Sequence, residues 1–184
     1  FEHWSHDPAR PESLASDKVW DAVVGPDGAL WIGTQHGLDR MRPDGSGFDH
    51  IAAPPPSDDP SGFGAVGALY VDPKGRLWIG TDEGVYVRDA EGRVSQVPQE
   101  DPKETISVWS IEGDGDEVRI AAAHGLLVVG ADGVARKFDK DIADFNVLTS
   151  VRDRAGRLWI GTQRGLYLQT RRSGPVKKVL DQPL

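Results

Sequence analysis

A chain of 184 residues, 38% hydrophobic and 27% charged, has the make-up of one folded domain and not of a disordered segment. Its net charge of −8 speaks against a nucleic-acid footprint, which needs a local surplus of Lys and Arg. No apolar run approaches the roughly 18 residues of a membrane-spanning helix, and the lack of Cys excludes disulfides and thiolate metal sites without fixing a compartment.

In chain order the first stretch is FEHW, which reads as a short strand. The start at Phe1, with neither initiator Met nor signal peptide, reads as a chain processed or cut from something longer. An irregular connection, Ser5 to Lys18, leads to the run VWDAVVG, a PDG turn, the run ALWIGT, a QHG turn, the run LDRMR and the short FDHIA. Asp, Pro and Gly in such turns supply local hydrogen bonds, a fixed φ and a positive φ. The grammar then repeats. After Ala53 to Ala65 come VGALYVD, PKG, RLWIGT, DEG, VYVRD and VSQVP. Past Gln99 to Thr105 stand ISVWSIE, GDGD, EVRIAA, AHG, LLVVG and VARKF. Beyond Asp139 to Asp144 follow VLTSVRD, RAG, RLWIGT, QRG, LYLQT and VKKVL.

One phrase of seven residues occupies Gly28 to Thr34, Gly75 to Thr81 and Gly156 to Thr162. A decayed copy places Val118 in register with Leu30, Leu77 and Leu158, giving spacings of 47, 41 and 40. There Arg119 stands for the Trp, and Ala121 and Ala122 for the Gly and Thr. No window has a helical period, whereas short runs rich in Trp, Ile, Val, Tyr and Thr are strands. Four antiparallel strands per repeat describe a β-propeller blade. The expected fold is therefore all-β: a partial β-propeller over residues 1–184, with blades near 19–52, 66–98, 106–138 and 147–180 and FEHW as an extra N-terminal fourth strand. The phrase is packing, because a second strand buried on both faces fills the space between blades. Its Gly admits a close backbone approach, and Gly37, Gly84, Gly125 and Gly165 supply positive φ after the hairpin turn. Arg119 calls for an ion pair or a solvent-facing opening. Trp20 and Trp109, on first strands, are expected to pack in the core or between blades and not to line a channel.

The pattern D-x-x-G-x-L-W-I-G-T-x-x-G-L resembles the two-component regulator propeller repeat. It is matched by Asp72 to Val85 and Asp153 to Leu166 and, slightly shifted, by Asp27 to Leu38. The opening FEHWSHDPARPESLASDKVW is similar to the inter-blade segment of that family. The resemblance implies an extracytoplasmic, periplasmic sensor in a membrane-anchored bacterial receptor. In the family the propeller precedes a β-sandwich, a membrane helix and a cytoplasmic histidine kinase or diguanylate cyclase. Such a segment binds a signal, changes the pairing of two receptor chains and catalyses nothing itself. GPDGALW also resembles the repeat of propeller lyases related to streptogramin B lyase and of sugar-lactone hydrolases. That alternative requires His or carboxylates grouped with a metal. A third reading is a structural protein–protein platform.

In an up-and-down blade the turn between the second and third strands shares a face with the connection to the next blade. Loops on a rigid scaffold carry binding. The candidate recognition face therefore holds Gln35, His36, Asp82, Glu83, His124, Gln163 and Arg164, for a small molecule such as a saccharide or peptide, or for a protein. His36 and His124 stand at equivalent turn positions with Asp82 and Glu83 between them in sequence, which admits a metal reading. Exposed polar turn residues are the simpler account, and no metal, cofactor or catalytic residue is expected. The basic group Arg171, Arg172, Lys177 and Lys178 reads as solvated surface. Because FEHW and VKKVL both read as fourth strands, the terminal blades should leave apolar faces open, which predicts a homo-oligomer.

Overall fold

The computed structural model describes residues 2–25, 27–54, 62–101, 104, 106–143 and 145–179. Among the described residues, sixteen strands form four antiparallel sheets, each meandering in chain order. Sheet 1 is β1 (Val19–Val24), β2 (Leu30–Thr34), β3 (Gly37–Met41) and β4 (Phe48–Ile51). Sheet 2 is β5 (Val66–Val71), β6 (Leu77–Thr81), β7 (Val85–Arg88) and β8 (Val94–Gln96). Sheet 3 is β9 (Val108–Asp114), β10 (Glu117–Ala122), β11 (Gly125–Val129) and β12 (Ala135–Lys137). Sheet 4 is β13 (Val147–Arg152), β14 (Leu158–Thr162), β15 (Gly165–Gln169) and β16 (Val176–Lys178). A 3-10 turn spans Lys140–Ile142. Positions 55–61, 102, 103, 105 and 144 of the connections, and Leu180 at the expected end of the last strand, lie outside the described residues.

The repeated phrase does more than pack. The Asp72 carboxylate accepts from the backbone N–H groups of Lys74 and Arg76, closing the β5–β6 turn. It also accepts from Arg76 Nε at 2.6 Å and from the buried indole Nε1 of Trp78 at 3.0 Å. Asp153 repeats the set with Ala155, Arg157 and Trp159. Arg76 and Arg157 lie over the indoles of Trp78 and Trp159. One carboxylate thus fixes the turn, the indole and the arginine that covers it. Sheet 1 lacks both partners, since Gly25 stands at the Asp position and Ala29 at the Arg position. Arg40, from β3, substitutes: it pairs with Asp27 at 2.7 Å and lies over Trp31.

The chain divides into two compact units, residues 1–97 with 105–108, and residues 98–104 with 109–184. In the first, the core between sheets 1 and 2 comprises Trp31, Leu38, Val66, Leu69, Ile79 and Tyr86, with Phe63 edge-on to Tyr86. A Cβ on Gly33 would sit 2.7 Å from the Val66 carbonyl oxygen, so the glycine of the phrase is required by the approach of the two sheets. The second unit has its own core of Ala121, Leu126, Ile142, Val147, Leu158 and Ile160, between sheets 3 and 4. There Arg119 takes the Trp position and is only 2% exposed. It lies 3.4–3.7 Å from Glu117, Asp114 and Glu112, and its Nε donates to Ser150 Oγ of sheet 4. Arg152 Nε lies 2.6 Å from Asp114, and Arg172 reaches the same carboxylate. The expected ion pair is a network of three arginines and three acids.

Two expectations are corrected. Glu2–Trp4 forms no strand and pairs with none of the described sheets; Trp4 instead packs edge-on to Phe48 of β4. Trp20 and Trp109 are not packed in a core: they are 60% and 50% exposed. The β1–β2 register slips between Val19 and Asp21, so Trp20 is the extra residue of a β-bulge, as are Gly67 and Leu148 in sheets 2 and 4. A bulged residue has no partner across the ladder and is re-aimed away from the packed column. Trp109 holds the same place after Val108 in β9.

Candidate recognition site

The threonine that ends each intact phrase builds the turn that follows it. Thr34 Oγ1 donates to the Gly37 carbonyl and accepts from the His36 N–H. Thr81 does the same with Gly84 and Glu83, and Thr162 with Gly165 and Arg164. The glycines take the expected positive φ, 115° at Gly37 and 119° at Gly165. Sheet 3 has Ala122 instead of threonine, and its turn resolves differently: His124 sits at φ 68°, the only non-glycine in the left-handed region among the described residues.

The turns of sheets 1, 2 and 4 are stitched to the connection that precedes their own sheet. Gln35 N–H donates to the Lys18 carbonyl, Asp82 N–H to Ala65 and Gln163 N–H to Asn146. Side chains reinforce two of these joints. Asp82 Oδ1 accepts from Ala65 N–H; Asn146 Nδ2 donates to Gln163 Oε1, while Arg164 lies over the Phe145 ring. Of the seven candidate residues, Asp82, Gln163 and Arg164 therefore hold connections in place, and His36, Glu83 and His124 present exposed side chains. Gln35, His36, Asp82 and Glu83 belong to the first unit, His124, Gln163 and Arg164 to the second.

His36 borders a cleft of about 410 Å³ in the first unit, shared with His6, Asp39 and His50. Asp39 is fully buried in β3, where Tyr86, Leu127 and Tyr167 stand in the other sheets. A carboxylate in that column needs partners. It receives Ala15 N–H at 2.8 Å and pairs with His50 Nδ1 at 2.6 Å, while His50 Nε2 meets the Pro11 carbonyl at 2.8 Å. Burial works against a charged His50 ring, but Asp39 and the Pro11 carbonyl outweigh it and hold its pKa above the ordinary histidine value. His6 Nδ1 is bonded to the Leu14 carbonyl. The connection is therefore pinned over sheet 1, and three imidazoles line one opening. His6, Asp39 and His50 were not among the candidates; the signal for them is Asp39 itself, a charge on an otherwise apolar strand column. Among the described residues no three His, Asp or Glu side chains are placed to hold a metal ion.

Residues 61–83 match the model of the family described as Two component regulator propeller. No curated protein matches the chain. Among solved structures, the extracellular domain assigned to the hybrid two component system BT3049 of B. thetaiotaomicron is similar over 98% of this chain, with a TM-score of 0.74 and 16% identity. That of BT4673 from the same organism is similar over 87%, with a TM-score of 0.70 and 24% identity. The chain spans only 24% and 22% of the lengths of those two structures. Virginiamycin B lyase from Staphylococcus aureus is also similar, with a TM-score of 0.65 and 11% identity, over 92% of this chain and 59% of that one. At these identities the likeness speaks for the fold. The chain is a β-propeller segment in which residues 61–83 match the two component regulator propeller repeat.

Proposed function

We propose that this chain is the signal-binding part of an extracytoplasmic sensor propeller and catalyses no reaction. Its recognition site is the cleft at His36, and its ligand is a small polar molecule such as a saccharide or a short peptide. One observation carries the reading: a cleft lined by three imidazoles and a buried carboxylate opens where the turns and connections are cross-braced. Asp39 and His50 are spent on bracing the connection, and the rings of His36 and His6 offer a donor and an acceptor to hydroxyl and amide groups. The repeat family and the extracellular domains of hybrid two component systems support the sensor role. By the same reading the parent protein is anchored in a membrane, and occupancy of the site alters the pairing of two receptor chains.

The test is a thermal-shift screen of the 184-residue chain against defined oligosaccharides and tripeptides. A ligand that binds only the native state raises Tm. The proposal expects a hit whose shift disappears in His36→Ala at unchanged resting Tm. Conversion of the hit to product would instead favour the lyase or lactonase alternative. A hit that is indifferent to His36 would move the site elsewhere.

A further inference from the structure

The N-terminal connection is fastened to sheet 1 at two places. At one, Leu14 packs with Ile32 and Phe48, and Ala15 donates its N–H to Asp39 of β3. At the other, β4 holds the crest formed by Pro11 and Glu12: Phe48 N–H donates to the Glu12 carbonyl, and His50 Nε2 meets the Pro11 carbonyl. The connection also braces itself. Arg10 N–H donates to the Asp7 carbonyl and Ser13 N–H to the Arg10 carbonyl, while Ser13 Oγ accepts from Asp7 N–H and donates to the Asp7 carbonyl.

Asp39 and His50 are cross-strand partners, and each nitrogen of the His50 ring faces an oxygen that accepts. Nδ1 stands 2.6 Å from Asp39 Oδ1, on a carboxylate that is fully buried and takes the Ala15 N–H on its other oxygen. Nε2 stands 2.8 Å from the Pro11 carbonyl. A neutral imidazole has one N–H and one lone pair, so it serves one of these oxygens and turns a lone pair on the other. Only the imidazolium donates at both ends. The buried Asp39 charge retains the Nδ1 proton, because without it the carboxylate loses its counter-charge. The Nε2 proton is therefore the one that leaves, and the Pro11 contact is the one lost. The remaining charged groups around the ring are paired with one another: Asp49, next to it on β4, with Arg42, and Glu12, beside Pro11, with Arg10. His6 and His36 are the other titratable side chains that line the cleft with His50 and Asp39.

We propose that His50 is a proton-operated latch on the cleft. As the imidazolium it ties the Pro11–Glu12 crest to sheet 1; loss of the Nε2 proton releases the crest and frees the ring, which is itself a wall of the opening. The ring is 47% exposed, so the proton exchanges with water without unfolding the sheet. The His50 pKa lies above its ordinary 6.5, so the hold is complete below about 6.5 and is lost as pH rises through the raised value. The consequence for recognition rests on the reading of the cleft as the ligand site, whereas the latch does not.

Nitrogen-15 NMR of the 184-residue chain through neutral and mildly alkaline pH reads the ring and the crest separately. Both His50 ring nitrogens should carry protons at the acid end. On titration of that ring, and not of His6 or His36, the order parameters of the Arg10, Glu12 and Ser13 amides should fall from about 0.85 to below about 0.6. His50→Gln, uncharged, should leave these amides mobile at every pH. His50→Arg, cationic throughout and rich in donors, should keep them rigid to the alkaline end. A His50 ring that is neutral at the acid end overturns the proposal. So does a crest that stays rigid while His50 titrates, or a transition that survives in His50→Gln. The latch is read without a ligand, so an empty thermal-shift screen sinks the recognition reading and leaves the latch to these spectra.

Discussion

The slot filled by Trp31 between sheets 1 and 2 and the slot filled by Arg119 between sheets 3 and 4 are the same position of one repeat, solved with opposite chemistry. Trp31 sits in an apolar core under Arg88 of the facing sheet. Arg119 sits among Glu112, Asp114 and Glu117, which remain partly open to water, and reaches Ser150 of the facing sheet. The sheets stack in both cases. The repeat thus tolerates a charge in its inter-sheet slot if the neighbouring turn supplies acids, and here Glu112, Asp114 and Glu117 all flank the β9–β10 turn. What differs is how much each slot contributes to stability and how it responds to pH.

The largest expected effect is on the apolar slot. Trp31→Ala, or its counterpart Trp78→Ala, should cost about 3–5 kcal/mol in a denaturant titration, because a large buried side chain leaves a cavity. Arg119→Ala should cost less, about 1–3 kcal/mol. Its acids are partly hydrated already, and Arg152 stays to pair with Asp114 and Glu117. Equal losses at Trp31 and Arg119 would erase the distinction between the two slots.

The intact and decayed phrases should also part company in acid. The Trp159 indole, with Arg157 and two backbone N–H groups, holds the Asp153 carboxyl at about 2 against an ordinary value of 3.8. A depressed carboxyl stabilises the fold above its ordinary value, and this contribution is lost as pH falls from about 3.8 towards 2. Glu112 behaves in the opposite sense: burial raises its pKa in spite of Arg119, so its contribution is full below the ordinary value of 4.5 and declines as pH rises through the raised one. Unfolding measured from pH 2 to 7 should show a shallower acid loss in Asp153→Asn. Glu112→Gln should remove a decline on the other side of pH 4.5. Matching pH profiles for both variants would contradict the assignment.

The smallest expected effect separates the turns. His124→Gly removes a left-handed non-glycine residue and should gain up to about 1 kcal/mol, whereas His36→Gly, in a turn braced by Thr34, should lose a comparable amount through backbone entropy. Differential scanning calorimetry of the two variants would read the sign directly; the same sign in both would refute the contrast.

Much of this molecule follows from rules that act over a few residues. The strand runs, the Asp-x-x-Gly turns, the positive φ of Gly37 and Gly165 and the decayed third repeat were all legible, because turn chemistry and alternation are local. Even the charge at Arg119 announced that it would need partners. Three features depended on packing. The bulge that exposes Trp20 arises from a register slip against β2, which no pattern within β1 reveals. The cleft at His36 assembles His6 from the N-terminal connection with Asp39 and His50 from neighbouring strands, residues brought together only when that connection folds over sheet 1. Leu38 and Leu166 occupy one position of the same repeat, yet one is covered and the other exposed. Sequence sets which face of a strand is apolar; a facing sheet decides whether water is removed from it.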